Sequence, residues 1–449
     1  GGTASNAIST LFSTGLDMDQ KVYDKAEVFE PLADNIKNPM PEKVSLLQYA
    51  PKRLNQGQQG SCVGWSSGYA ARTILYAKAT GEKPNDVTFS PSFVYNQIAL
   101  QGCQGTYLQK AMELMYNKGA LPFSRFGYNE NECNKMPSSA QLNEASRYKT
   151  KGFNRLTKDG DNYATDMLAI KQNLAQGAPV VIGMMVGGTF MSNMNGKSLW
   201  TPSESDYQQR GFGGHAMCVI GYDDFKTPEE GAFQIMNSWG EAWGDRGVFW
   251  IRYSDFEHFN KEAYGLYPMG SVEKFASEKL KAEIGLVINK TGEYVPFQYK
   301  GGMTFINERP LVADQDFKIE ITNSIECYVY VFGEETDGSS YTLFPYTAKH
   351  SPYCGITGTR LFPRDYSLYP DNTGRKDHLA IIISKQKLDY NQLNAAVNAS
   401  PGNTYEEKVY NTLKDELIDN VQFSANGMIA FECDTKQKNA VALVLELGK

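Results

Sequence analysis

The sequence predicts an α+β protein in which a helical half is followed by a strand-forming half, with a β-rich domain behind them. Three observations carry this expectation. Residues 63–79, 107–118 and 164–176 place apolar side chains at helical spacing, and glycines follow them at Gly81, Gly119 and Gly177. From residue 178 the texture changes to short apolar or alternating runs divided by Gly, Asp or Pro, as in an antiparallel sheet. After about residue 270 a second set of strand-like runs begins.

In chain order, residues 1–39 are polar, have no strong period and read as an N-terminal extension. The first domain is placed at 40–270. The run 107–118, "YLQKAMELMYNK", puts Leu108, Met112, Met115 and Tyr116 on one helical face. Strands are expected at 178–187, 215–224, 231–240 and 247–256. Helices gathered before strands suggest two lobes facing each other. The accessory domain is placed at 271–449, with strands at 317–323, 327–333, 378–385 and 440–447. Its one expected helix, 405–420, aligns Val409, Leu413 and Leu417. The Tyr-, Pro- and Gly-rich stretch 339–370 reads as long loops.

Bulk properties narrow the chemistry. A chain of 449 residues exceeds one ordinary core. A net charge of −7 argues against a nucleic-acid partner, which requires a basic face. No apolar run approaches the roughly 18 residues of a membrane span. Seven cysteines show no CxxC spacing, and the four histidines (His215, His258, His350 and His378) form no HExxH pattern, so no metal site is expected. Neither a P-loop nor a GxGxxG after a strand is present, so no cofactor is expected. Gly1-Gly2 reads as a processed terminus, which leaves a removed targeting segment open.

One stretch carries chemistry. "NQGQQGSCVGW", residues 55–65, sets Cys62 on a glycine-rich turn directly before an apolar helical run. A helix N-terminus and a nearby imidazolium both favour the thiolate, the reactive form. His215, which opens a strand straight after Gly213-Gly214, is the strongest partner. Asn237, at the end of the next strand, is placed to orient it. Gln56, six residues before Cys62, offers a side-chain amide that, with the Cys62 N–H, forms an oxyanion hole. Taken singly, Cys62 and Cys218 read as small buried hydrophobes, and His258 as a surface residue. Gln56, His215 and Asn237 in order turn the reading of Cys62 toward a nucleophile.

These residues resemble the papain-like cysteine peptidases. "NQGQQGSC" is similar to the family's Gln-Gly…Cys box, "GGHAMCVIGY" to its histidine strand and "NSWGEAWGDRGVFWI" to its Asn-Ser-Trp-Gly box. "PEKVSLLQYAPKRL" is similar to the start of the mature enzymes, and "GCQGTYLQKAMELMYNKGALPFSRFGY" to the loop and helix lining their substrate cleft. The resemblance covers about residues 40–256. It implies a two-lobed papain-like fold, helical lobe plus antiparallel β lobe, and cysteine-dependent peptide hydrolysis through an acyl-enzyme. Cys62, His215, Asn237 and Gln56 would be catalytic, and Gly105, Thr106, Gly214 and Trp239 would bind substrate, Trp239 also shielding the His–Asn pair. His215 lies 153 residues and Asn237 175 residues beyond Cys62, so insertions relative to the family are implied. Val63 stands where the family usually has Trp, and Gln59 where it has a cysteine bonded to the Gly-rich loop. The resemblance therefore implies a replacement disulfide, Cys103–Cys133, and with it export to the periplasm, cell surface or medium.

Two other classes stay open on the sequence: a non-catalytic peptide-binding scaffold, and a Cys–His acyltransferase or amidase. The intact tetrad leans against the first and the Asn-Ser-Trp-Gly box against the second. The expected partner is a peptide or protein. The accessory domain resembles β-rich modules appended to bacterial peptidases, and its own ligand or partner is unknown.

Overall fold

The computed structural model of the chain describes residues 12–159, 164–267 and 279–449. It contains two compact units: Gly1–Val28 with Met40–Glu273, and Phe29–Pro39 with Lys274–Lys449. The N-terminal extension is thus shared between the units, dividing after Val28.

In the first unit the chain enters a helix at Cys62. The segments Cys62–Gly64, Trp65–Arg72 and Thr73–Thr80 run on continuously, the middle one with the wider π-type hydrogen bonding. Val63, Trp65, Tyr69, Ala71, Ile74, Leu75 and Ala77 are all buried. Apolar side chains therefore surround the helix, as required of one at the centre of a lobe. Helices Pro91–Ile98, Leu108–Asn117 and Met167–Ala175 follow. Gly81, Gly119 and Gly177, just past three of these helices, all have positive φ.

The β half is a seven-stranded antiparallel sheet. Its order is Phe153–Arg155, Asn260–Leu266, Val180–Val186, Gly213–Asp223, Ala232–Met236 and Val248–Arg252, with Lys43–Ser45 also paired to Gly213–Asp223. The register matters for the site. Cys218 lies opposite Met236. Counting back to His215 and on to Asn237 brings both to the same end of this strand pair, at the diagonal separation across which side chains meet. The strand expected over 247–256 ends at Arg252, and a helix, Tyr253–Phe259, takes its place.

The second unit is a β-sandwich. A seven-stranded sheet runs in the order Ser340–Phe344, Cys327–Glu334, Lys376–Ser384, Ala440–Gly448, Thr304–Asn307 and Phe297–Gly301, with Tyr353–Cys354 also on Cys327–Glu334. A five-stranded sheet runs Gly358–Phe362, Phe317–Asn323, Leu280–Ile288, Met428–Cys433 and Gln422–Asn426. Alternate residues such as Ile319, Ile321, Val329, Val331, Ile381, Ile383, Leu443 and Leu445 form one core. The stretch 339–370, expected as loops, contains three strands. The helix expected over 405–420 ends at Leu413, and a helix absent from the sequence reading, Tyr390–Ala399, precedes it. Residues 29–39 belong to this unit through Arg360, whose Nε donates to the Glu30 carbonyl at 2.9 Å, and Asn38, whose Nδ2 donates to the Thr359 carbonyl at 2.9 Å.

Candidate active site

Cys62 is the first residue of the central helix and is fully buried. The Ala216 N–H points at its sulfur, at 3.3 Å. That contact joins the helix start to the strand residue next to His215. His215 Nε2 lies 2.7 Å from Asn237 Oδ1, and the Ser238 N–H donates to the same oxygen at 2.8 Å. An oxygen already accepting from an amide requires the imidazole proton on Nε2. The neutral ring therefore carries its lone pair on Nδ1, which is buried and has no hydrogen-bond partner among the described residues. Trp239 lies against the ring, with centroids 4.6 Å apart and planes 25° apart.

Gln56 is also fully buried. Its Oε1 accepts from Ser238 Oγ at 2.7 Å, which turns Nε2 the other way. Nε2 donates to the Gln59 carbonyl and to the Thr14 carbonyl, both at 2.9 Å. The second acceptor belongs to an N-terminal arm that lies along all four residues expected to bind substrate. The Leu16 N–H donates to Gly214 O at 3.2 Å and the Asp17 N–H to Thr106 O at 2.9 Å, while Thr106 N donates to Gly15 O at 3.0 Å. Trp239 Nε1 donates to Ser13 O at 2.7 Å, and Phe12 stacks on the Trp239 ring at 4.7 Å. The backbones come so close that a Cβ on Gly105 would meet Gly15 O at 2.6 Å, and one on Gly214 would meet Leu16 O at 2.5 Å. Leu16 itself is buried over Gly183, beside Glu262.

Electrostatics follow from this covering. Burial pushes the Cys62 thiol up to about 12, against the lowering pull of the Ala216, Val63 and Cys62 N–H groups. Burial likewise pushes His215 down to about 4, against the Asn237 hydrogen bond. The helix N-terminus favours the thiolate, as the sequence suggests, but under the arm desolvation outweighs it. The pair is held as neutral thiol and neutral imidazole.

The structure brings Cys62, His215, Asn237, Gln56, Gly105, Thr106, Gly214 and Trp239 to one cleft. Cys103 and Cys133 are joined by a disulfide, with Cα atoms 5.9 Å apart. His258 is exposed, and His350 and His378 lie in the second unit. Among the described residues no group of three or more His, Cys, Asp or Glu side chains is arranged to hold a metal ion. Sequence reasoning missed Ser238, although it sits inside the quoted Asn-Ser-Trp-Gly box. It also missed Glu262, a buried carboxylate that burial raises to about 8, and the arm, whose residues show no periodic signal.

The profile of the family described as papain family cysteine protease matches residues 46–269. An uncharacterized peptidase C1-like protein of Acanthamoeba polyphaga mimivirus is 28% identical over 219 residues, 47% of this chain and 67% of that protein. Pro-cathepsin H of Bos taurus is 29% identical over 201 residues, 44% of this chain and 54% of that protein. A cathepsin B-like protein of Giardia intestinalis is 24% identical over 212 residues, 44% and 63% respectively. The chain thus spans about two thirds or less of the length of these relatives. Among solved structures, Xylellain, a cysteine protease from Xylella fastidiosa, is 22% identical with a TM-score of 0.46, covering 57% of this chain and 96% of its own.

Proposed function

Starting from the premise that residues 46–269 are a papain family cysteine protease domain, we propose that this protein hydrolyses peptide bonds through an acyl-enzyme on Cys62. The observation that carries the proposal is the hydrogen-bonded order Ser238–Asn237–His215 beside the Cys62 sulfur, which leaves Nδ1 as the free base. Nδ1 takes the thiol proton as sulfur bonds to the substrate carbonyl carbon. The oxygen, now negative, faces Gln56 Nε2 and the Cys62 N–H. The His215 proton then passes to the amine nitrogen as the C–N bond breaks. Water attacks the thioester with its proton taken by Nδ1, and the thiol is restored as the acid leaves.

The form described here is self-covered. Phe12–Asp17 occupies the donors and acceptors a substrate backbone would use, so substrate and arm compete for the groove. Leu16 in its pocket marks that subsite as suited to an aliphatic side chain. The Cys103–Cys133 bond supports an oxidising compartment, and hence export. No helix among the described residues is long and apolar enough to cross a membrane. A peptide vinyl sulfone tests the assignment. Incubated with the chain and mapped after digestion, it is expected on Cys62 alone, with no label in Cys62→Ala. Equal labelling of Cys62→Ala, or an adduct on Cys218 instead, rejects it.

A further inference from the structure

We infer that Tyr128 is a positioning residue for the oxyanion hole, holding both ends of the turn that carries its two donors. The inference rests on the peptidase reading above. The Tyr128 hydroxyl lies 2.5 Å from the Gln56 carbonyl oxygen and 2.8 Å from Ser61 Oγ. A carbonyl only accepts, so the phenol proton goes to Gln56 and Ser61 donates to the phenol oxygen. Gln56 carries the side-chain donor, and Ser61 immediately precedes Cys62, whose N–H is the other. One hydroxyl therefore sets the spacing of the two. The ring is held edge-on against Trp65, centroids 4.8 Å apart.

The loop behind Tyr128 grips the same turn. Glu130 Oε2 accepts from the Gln58 N–H at 2.7 Å, and Gln59 Nε2 donates to the Asn129 and Glu132 carbonyls, each at 3.2 Å. The loop ends at Cys133, bonded to Cys103, whose own carbonyl accepts from the Gly60 N–H at 3.1 Å. The turn is thus bracketed on both sides by a single disulfide-joined frame. Gln59, standing where related enzymes are expected to have a bonded cysteine, contributes to the frame through its amide. Preorganised donors act only if their separation is fixed before charge develops, and Tyr128 is the side chain that touches both ends.

Tyr128→Phe in the full chain tests this, with Ser61→Ala as a second variant that releases one end. The arm competes with substrate and so affects apparent KM, while kcat reports the chemistry. Tyr128→Phe is expected to lower kcat roughly ten- to a hundredfold, less than the roughly 10²–10³ of losing a donor outright, with KM unchanged. Ser61→Ala is expected to lower kcat by less. Alkylation of Cys62 by iodoacetamide, which forms no oxyanion, is expected at the wild-type rate. On a Gln56→Ala background, Tyr128→Phe is expected to cost far less than alone. An unchanged kcat, an equal fall in alkylation rate, or the full loss repeated on Gln56→Ala overturns the inference. If Cys62→Ala keeps wild-type turnover, the peptidase reading fails and this inference falls with it. If Cys62 is required and Tyr128→Phe behaves as wild type, only this inference fails.

Discussion

At the scale of single residues, the site depends on which atom holds which proton. The Ser238 N–H on Asn237 Oδ1 fixes the imidazole tautomer, and the Ser238 hydroxyl on Gln56 Oε1 aims the amide of the proposed oxyanion hole. One serine thus orients both partners of Cys62. Gln56→Ala is expected to lower kcat about 10²–10³-fold with little change in KM, because the amide acts where charge develops. Steady-state kinetics on a peptide anilide reads this, and an effect confined to KM places Gln56 in ground-state binding instead. Cys62, His215, Asn237 and Gln56 were legible in the sequence because each falls in a distinctive local pattern of glycines or tryptophan. Ser238 and Glu262 were not, because their roles depend on neighbours 182 residues away in one case and on burial in the other.

At the scale of elements, the histidine strand and central helix show in the sequence because their apolar spacing is long and uninterrupted. The strands Ser340–Phe344 and Gly358–Phe362 are hidden among prolines, glycines and tyrosines, which read as turns. The arm is hidden for another reason: Phe12–Asp17 has no periodicity, and only tertiary contacts decide its place. Gly15 is its tightest point, with φ +128 and a prospective Cβ only 2.1 Å from Gly60 O. Gly15→Ala is therefore expected to dislodge the arm, raising basal turnover several-fold and speeding iodoacetamide alkylation of Cys62 as the thiol regains solvent. Turnover and alkylation at wild-type values would mean that the arm does not govern access.

At the scale of the whole molecule, the chain from 12 to 39 contributes to both compact units, so a sequence division at residue 39 separates what the fold divides after Val28. Glu30, on the part that joins the β-sandwich, is almost fully buried. Burial raises its carboxyl to about 7, with Arg364, Arg360 and Tyr346 opposing the rise and Asp365 adding to it. A carboxyl raised on folding stabilises below its unfolded value near 4.5 and loses that contribution as pH climbs through the folded value. Between about pH 4.5 and 7 the loss is on the order of 3 kcal/mol. The sandwich is thus expected to melt lower at pH 8 than at pH 5, and Glu30→Gln to flatten that dependence in calorimetry. An unaltered pH slope in Glu30→Gln would assign the dependence to other groups.

The acyl-enzyme is the claim on which the rest depends, and it is directly observable. Mixing the chain with a peptide p-nitrophenyl ester and quenching during turnover is expected to give an acyl group on Cys62, located by peptide mass mapping. A burst of nitrophenol approaching one equivalent per accessible site should accompany it where deacylation is slow. In Cys62→Ala both signals should vanish while the melting transition stays in place. Turnover without any Cys62 adduct, or a burst that survives Cys62→Ala, would contradict the account.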